Sequence, residues 1–301
     1  MSDAPDCFDS FEEAQDFVRE KTEAYNQTPQ EELAGLSPDQ AFRLLHSSWD
    51  SPEFPLRFNE TLPLEILEDR SRFFRNCRQF LNLAQDRDGL ERTQKGNLKR
   101  KVVPDLMDCF DLPDGEREAI LAVNKTINEQ DVRDIHLARV VCETAGMVYP
   151  RKARFKIPKD KAGLLAPDRA GELFALLVRK YFTQFSMAYL DRCPDCPGVQ
   201  HCIPFTLLQL LRLEEDWHDY LEVLPRLFLP SVMQEAEDAC TGPYPHVDSF
   251  FEARVFRHLI RWGFLEARFC RDEGAYVDRI AALRPTALLQ QLIQVNESFG
   301  T

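Results

Sequence analysis

The sequence predicts a mainly α-helical chain with small β-hairpins, an α+β arrangement in which short extended pairs sit between helices. Three observations lead there. Apolar residues recur at helical spacing through most of the chain. Glycines stand just past several of these runs, where a residue with positive φ can cap a helix. The extended runs are short and follow those glycines directly. With 44% apolar residues, 29% charged residues and 22 phenylalanines, the composition supplies a core and excludes a disordered chain.

Ser10 and Glu13 form a capping-box pair, after which Phe11, Ala14, Phe17 and Val18 share one helical face. Residues 27–36 read as a linker. Ser37-Pro38-Asp39-Gln40 opens a second helix, with Ser as N-cap, Pro at the first position and Gln closing the box. Prolines at 52, 55 and 63 then forbid long regular structure, so Trp49, Phe54 and Phe58 are expected to pack within an ordered loop.

From Ser71 one pattern is expected three times: an apolar helix, a glycine, an extended pair and a further helix. The first copy places Phe73, Phe74, Cys77, Phe80 and Leu81 before Gly89-Leu90. The second places Val132, Ile135, Leu137, Val140 and Val141 before Gly146, with Met147–Tyr149 and Arg154–Ile157 flanking a "PRKA" turn. The third places Val255, Phe256, Leu259 and Ile260 before Gly263, with a hairpin turned at "RDEG". Between the second and third copies, Leu173, Leu176, Leu177, Val178, Tyr181, Phe182 and Phe185 cover most of a helix, which should be a buried organiser. The expected division is a helical segment and aromatic loop over 1–70, tandem repeat units over 71–168, a helical middle over 169–245, and a C-terminal unit over 246–301. Helix, glycine and hairpin in that order is the grammar of the winged-helix fold, so two or three winged-helix-like units braced by a helical middle are expected.

The stretches "SPDQAFRLLHSSWDSPEFPLRFNETLPLE", "TQKGNLKRKVV", "NKTINEQDVRDIHLARVVCETAGMV" and "LLQLLRLEEDW" resemble an uncharacterised bacterial family. Its members sometimes occur joined to plasmid open-reading-frame-3-like domains or SEC-C zinc motifs. The resemblance spans roughly residues 35 to 295 and implies no activity. A SEC-C tail is not expected, because the last residues, "VNESFGT", hold no Cys-rich cluster. "GMVYPRKARFKIPKDKAGLL" separately resembles the wing of bacterial winged-helix regulators, with Pro158 where that pattern has threonine. Many such domains bind only protein.

Charge separates the copies. Residues 149–161 hold Arg151, Lys152, Arg154, Lys156, Lys159 and Lys161 against Asp160, a local net of +5. Residues 90–101 hold Arg92, Lys95, Lys99, Arg100 and Lys101 against Glu91, a net of +4, whereas residues 264–284 balance to zero. The candidate nucleic-acid contacts are therefore Lys95, Lys99, Arg100, Lys101, Arg151, Lys152, Arg154 and Lys156, placed to meet phosphates. With a formal charge of −13, the same segments also read as a solvated positive face on an acidic protein. Two functions follow: a regulatory or DNA-binding adaptor, or a protein–protein scaffold with no nucleic-acid contact.

No enzyme, cofactor or membrane reading emerges. The chain has no Gly-x-Gly, Walker A, Gly-x-Ser-x-Gly or His-Glu-x-x-His motif. "EEDWHDY" reads as a solvated helix face, and Asp131, His136 and Glu143 as exposed positions of the second copy's helix. The N-terminus shows no secretory pattern, and the apolar runs fall far short of the ~20 residues that span a bilayer. Nine cysteines, an odd number and mostly scattered singly in apolar runs, suit the cytoplasm.

Cys193, Cys196 and His201 match three ligands of a C-x2-C-x4-H-x4-C zinc knuckle, but the fourth position is Thr206. A turn with incidental cysteines is the preferred reading, beside zinc and redox alternatives. Elemental analysis of the purified protein should find far less than one zinc per chain. A full equivalent, lost on Cys193→Ser, would overturn that reading.

Overall fold

Helix boundaries follow the caps that the sequence supplies. A computed structural model of the chain describes residues 8, 10–189, 191–241, 246–271, 278–296 and 299. Ser10 accepts a hydrogen bond from the Glu13 N–H and starts α1 (Phe11–Gln27). Ser37 and Gln40 make both bonds of a capping box ahead of α2 (Pro38–His46). The expected linker between them contains a 3-10 turn at Glu31–Leu33. β1 (Leu56–Phe58) and α3 (Leu64–Arg70) precede α4 (Arg72–Asp86), which Ser71 caps through the Phe74 N–H.

β2 (Leu90–Glu91), α5 (Val103–Cys109), α6 (Glu116–Val123) and α7 (Arg133–Thr144) lead to a hairpin of β3 (Tyr149–Arg151) and β4 (Arg154–Lys156). The long α8 (Ala170–Gln184) follows, then α9 (Pro197–His201), α10 (Ile203–Arg212), β5 (His218–Asp219), α11 (Tyr220–Val223) and α12 (Pro230–Ala239). α13 (Val247–Phe251) passes through a π-helical turn at Glu252–Phe256 into α14 (Arg257–Trp262). β6 (Leu265–Cys270), β7 (Arg279–Pro285), α15 (Ala287–Leu292) and β8 (Ile293–Val295) complete the order. The chain is thus mainly α-helical with small antiparallel sheets.

Pairing corrects the expected repeat. β4 lies between β2 and β3, and β7 lies between β5 and β6. The first and second expected copies therefore share one sheet and are not tandem units. A two-residue strand cannot satisfy its own main-chain groups, and short isolated hairpins are marginal in water. β2 finds its partner in β4, while its own loop contributes only an isolated bridge between Arg92 and Leu98. By the same rule the helical middle lends β5 to the third copy's sheet. His218 and Asp219, expected on a helix face, are strand residues, and Asp219 caps α11. The segments α4–β4 and α10–β7 then run through one order: helix, short strand, helices, and a hairpin whose second strand is central. From residue 272 on, the expected "RDEG" turn lies outside the described residues.

α8 is the buried organiser. Leu173, Phe174, Leu177, Val178 and Tyr181 are fully buried. Phe174 meets Phe74 of α4 edge-on at 4.9 Å between ring centroids, Trp262 of α14 at 5.6 Å and Phe264 at 6.2 Å. Tyr181 meets Trp262 at 5.3 Å and Phe73 at 6.3 Å. Trp49 stacks on Phe54, Phe58 and Phe182, so the Pro-rich loop is ordered by packing. By contrast α1 buries none of its residues, and Phe11, Val18 and Tyr25 are exposed.

Gly146 and Gly263 end their helices with φ of +68° and +79°. The space around them differs: a Cβ at Gly146 meets nothing within 4 Å, whereas at Gly263 it would lie 2.2 Å from the Arg70 carbonyl oxygen. Gly146→Ala should cost roughly 1–2 kcal/mol for the left-handed backbone alone, and Gly263→Ala clearly more. Phe174→Ala should cost about 3–5 kcal/mol. Thermal or denaturant melts check the order; equal stability of both glycine variants and the parent would refute it.

Candidate nucleic-acid interface

The β2–β4–β3 sheet forms because two glycine-dependent turns bring distant segments together. Gly89 has a φ of +97°, and a Cβ there would lie 2.6 Å from the Phe155 carbonyl oxygen. Only glycine lets β2 approach β4 this closely. In register, Leu90 faces Phe155 and Glu91 faces Arg154, while Arg151 faces Arg154 across the hairpin. Phe155 is buried, with the guanidiniums of Arg92 and Arg139 over its ring at 5.5 and 5.4 Å. The two basic segments of the sequence thus lie on one sheet and its connecting loop.

Their charges are not equally available. Arg154 donates to the carbonyls of Gly89 (3.0 Å) and Arg87 (2.8 Å), so it ties the hairpin to the end of α4. Lys156 pairs with Asp88 at 2.8 Å, and that hydrogen bond holds the Asp88 carboxyl below its ordinary pKa. Glu91 lies between Lys101 and Lys99 (2.9 Å to the latter), and their hydrogen bonds pull its pKa down to about 2. Arg100 donates from Nε to Asn128 Oδ1 at 2.8 Å. Lys95, Arg151 and Lys152 are exposed and make no ion pair among the described residues. Lys152 holds the hairpin turn at a φ of +53°, a region that costs a non-glycine residue energy. Beside the sheet, a groove of about 730 Å³ is lined by Lys95, Lys99, Arg100, Lys101, Asn128 and Asp131, among others.

The residue that anchors this loop carries no sequence signal of its own. Glu129, 1% exposed, accepts from the Leu98 N–H and from Arg139 Nε at 2.8 Å. Its Oε1 also lies 2.7 Å from His136 Nδ1, and His136 Nε2 is 2.7 Å from the Tyr189 hydroxyl. Burial pushes the Glu129 carboxyl up, but His136, Arg139 and the Leu98 N–H outweigh it and hold the pKa below the ordinary value. The carboxylate fixes Leu98, and through it Lys99–Lys101, against α7. His136, expected to be exposed, is buried; Asp131 instead bonds the Asn128 N–H at 2.7 Å, and Glu143 pairs with Arg139. These groups are not assembled as an acid–base set around an open site.

Among the described residues no group of three His, Cys, Asp or Glu is placed to hold a metal. Cys196 is 1% exposed, and burial with Glu235 pushes its thiol up to about 11; burial pushes Cys202 to about 12. Such thiols stay protonated at neutral pH and are poor nucleophiles. The turn is pinned instead by Arg254, which is buried, pairs with Asp191 and donates to the Pro194 carbonyl at 2.8 Å.

Among the described residues no helix is long and apolar enough to cross a membrane. No curated protein and no solved structure matches the chain. Residues 69–171 match the family model described as the Y4jL N-terminal domain, an uncharacterised family. That stretch is narrower than the one over which the sequence resembles a bacterial family, and it adds nothing to the open-reading-frame-3-like or SEC-C associations. It runs from the end of α3 to the start of α8, so the whole β2–β4–β3 sheet and all the basic candidates lie in the part of the chain similar to this family.

Proposed function

We propose that the protein is a non-enzymatic, sequence-tolerant DNA-binding or regulatory adaptor of the bacterial cytoplasm. In this reading residues 69–171 act as a winged-helix-like unit with β3–β4 as its wing. The order α4, β2, α5–α7, β3, β4 with β4 central supports that reading, and α10–β7 repeats it. One observation carries the DNA assignment: two basic segments far apart in sequence meet on one sheet, with Arg151 and Lys152 exposed and unpaired at its tip. α7, the helix that would read bases, buries Asp134 to Arg139 as well as Val141 and Cys142. Contacts are therefore made to phosphates, which position a protein without reading sequence.

A scaffold that binds only protein is the second reading. It is favoured by α1, whose Phe11, Val18 and Tyr25 are 79%, 60% and 61% exposed at seven-residue spacing.

Fluorescence anisotropy on a mixed-sequence duplex separates the two. Binding should be weak and steeply salt-dependent, each phosphate contact adding about −0.9 to the slope of log K against log salt. Arg151→Gln with Lys152→Gln should flatten that slope by about 2 if each makes one contact, for all sequences alike. Glu91→Gln should tighten binding, because it releases Lys99 and Lys101. No binding at the lowest salt, or binding indifferent to the double substitution, would leave the scaffold reading.

A further inference from the structure

Three guanidinium groups gather where α14 meets α7. Arg257 and Arg261 are one turn apart and share a face of α14. Arg133 is the first residue of α7. Arg261 reaches back to α7, but its Nη1 stops 3.6 Å from Asp134 Oδ1. That nitrogen is buried and has no hydrogen-bond partner. Arg257 Nη2 donates only to uncharged groups, the carbonyls of Met187 (3.3 Å) and Tyr189 (3.1 Å). Arg133 makes no hydrogen bond or ion pair among the described residues.

The carboxylates facing the cluster do not balance it. They are Asp134 and Glu116; Glu116 also faces Arg72, and burial raises its pKa. Asp191, near Arg257, is already held by Arg254. The remaining neighbours, Tyr181 and His258, are neutral: burial pushes the phenol up and the imidazole well down. Burial and Arg261 lower the Arg133 pKa, while burial and Arg133 lower that of Arg257. These are like charges facing one another in a partly desolvated place, with a buried donor left unused. Buried polar atoms without partners call for an explanation, and a ligand that uses them is one of the standard ones.

We infer that this junction binds a tetrahedral oxyanion, a phosphoryl group, between Arg133, Arg257 and Arg261. Arginine suits that ligand, since its planar fork donates two parallel hydrogen bonds to phosphate oxygens. None of these residues belongs to the basic sheet, so the site stands apart from the proposed wing. The phosphoryl group belongs either to a free anion or to a nucleic-acid backbone.

The test is thermal melting of the full chain in inorganic phosphate against sodium chloride at matched ionic strength. A ligand bound only by the folded state raises the melting temperature with the logarithm of its concentration. The parent should melt higher in phosphate than in chloride. Arg133→Gln, at an exposed position without partners, should lose that increment while melting in chloride no lower than the parent. Arg151→Gln with Lys152→Gln should keep it, so failure of the wing reading and failure of this one are distinguishable. Titration calorimetry of phosphate into the parent gives an independent readout, expected near one site per chain. A short duplex that displaces phosphate from the parent identifies a backbone phosphodiester as the source; one that does not identifies a free anion. The inference is overturned if phosphate stabilises the parent no more than chloride, if calorimetry detects no binding, or if Arg133→Gln keeps the full increment.

Discussion

The contact on which the architecture depends is the edge-to-face cluster that α8 makes with both sheet-bearing segments. Phe174 and Tyr181 meet Phe74 and Phe73 of α4 and Trp262 of α14, and Phe73 and Trp262 also meet each other edge-on at 5.1 Å. Aromatic pairs in this geometry add specific attraction to their burial. They also fix the angle at which α4 and α14 meet α8, since a ring edge fits a ring face in few orientations. Gly263 belongs to the same constraint. Its missing side chain lets the end of α14 touch the Arg70 carbonyl, so the second segment seats directly against the start of α4.

Much of this frame was legible in the sequence. The Ser37–Gln40 capping box, the buried face of α8, and positive φ at Gly146 and Gly263 are local properties, set by side chains three or four residues apart or by one missing Cβ. Strand partnership was not legible. Leu90-Glu91 and His218-Asp219 are too short to carry a periodic signal, and what makes them strands is an unsatisfied neighbour far along the chain. That is why three expected copies became two sheets. Polar burial was equally hidden. "INEQD" offers two acids, and nothing in it marks Glu129 rather than Asp131 as the one enclosed by His136, Arg139 and Leu98.

Counting charges along the sequence gave the two basic segments without their partners. Folding places Glu91 between Lys99 and Lys101, and Asp88 beside Lys156, so much of the apparent excess is spent within the sheet. Arg154 has become a structural tie to carbonyls. Of the candidate contacts, exposed charge without an ion pair among the described residues remains at Lys95, on the loop after β2, and at the hairpin turn, where Arg151 and Lys152 project. The distinction is geometric. A lysine over its own sheet's carboxylate and a lysine at a hairpin tip contribute the same unit to net charge but very different fields to an approaching polyanion.

The small β1–β8 sheet joins two segments that are made far apart in time. Leu56, Arg57 and Phe58 pair with Val295, Gln294 and Ile293, residues far along the chain from them. A ribosome delivers residues in order, so β1 emerges before β8, as an open edge whose main-chain groups have no partner until the segments between them have been made. Leu56, buried in the finished protein, shares that wait. An early termination that spared every helix of the core would still leave a strand edge able to recruit another chain.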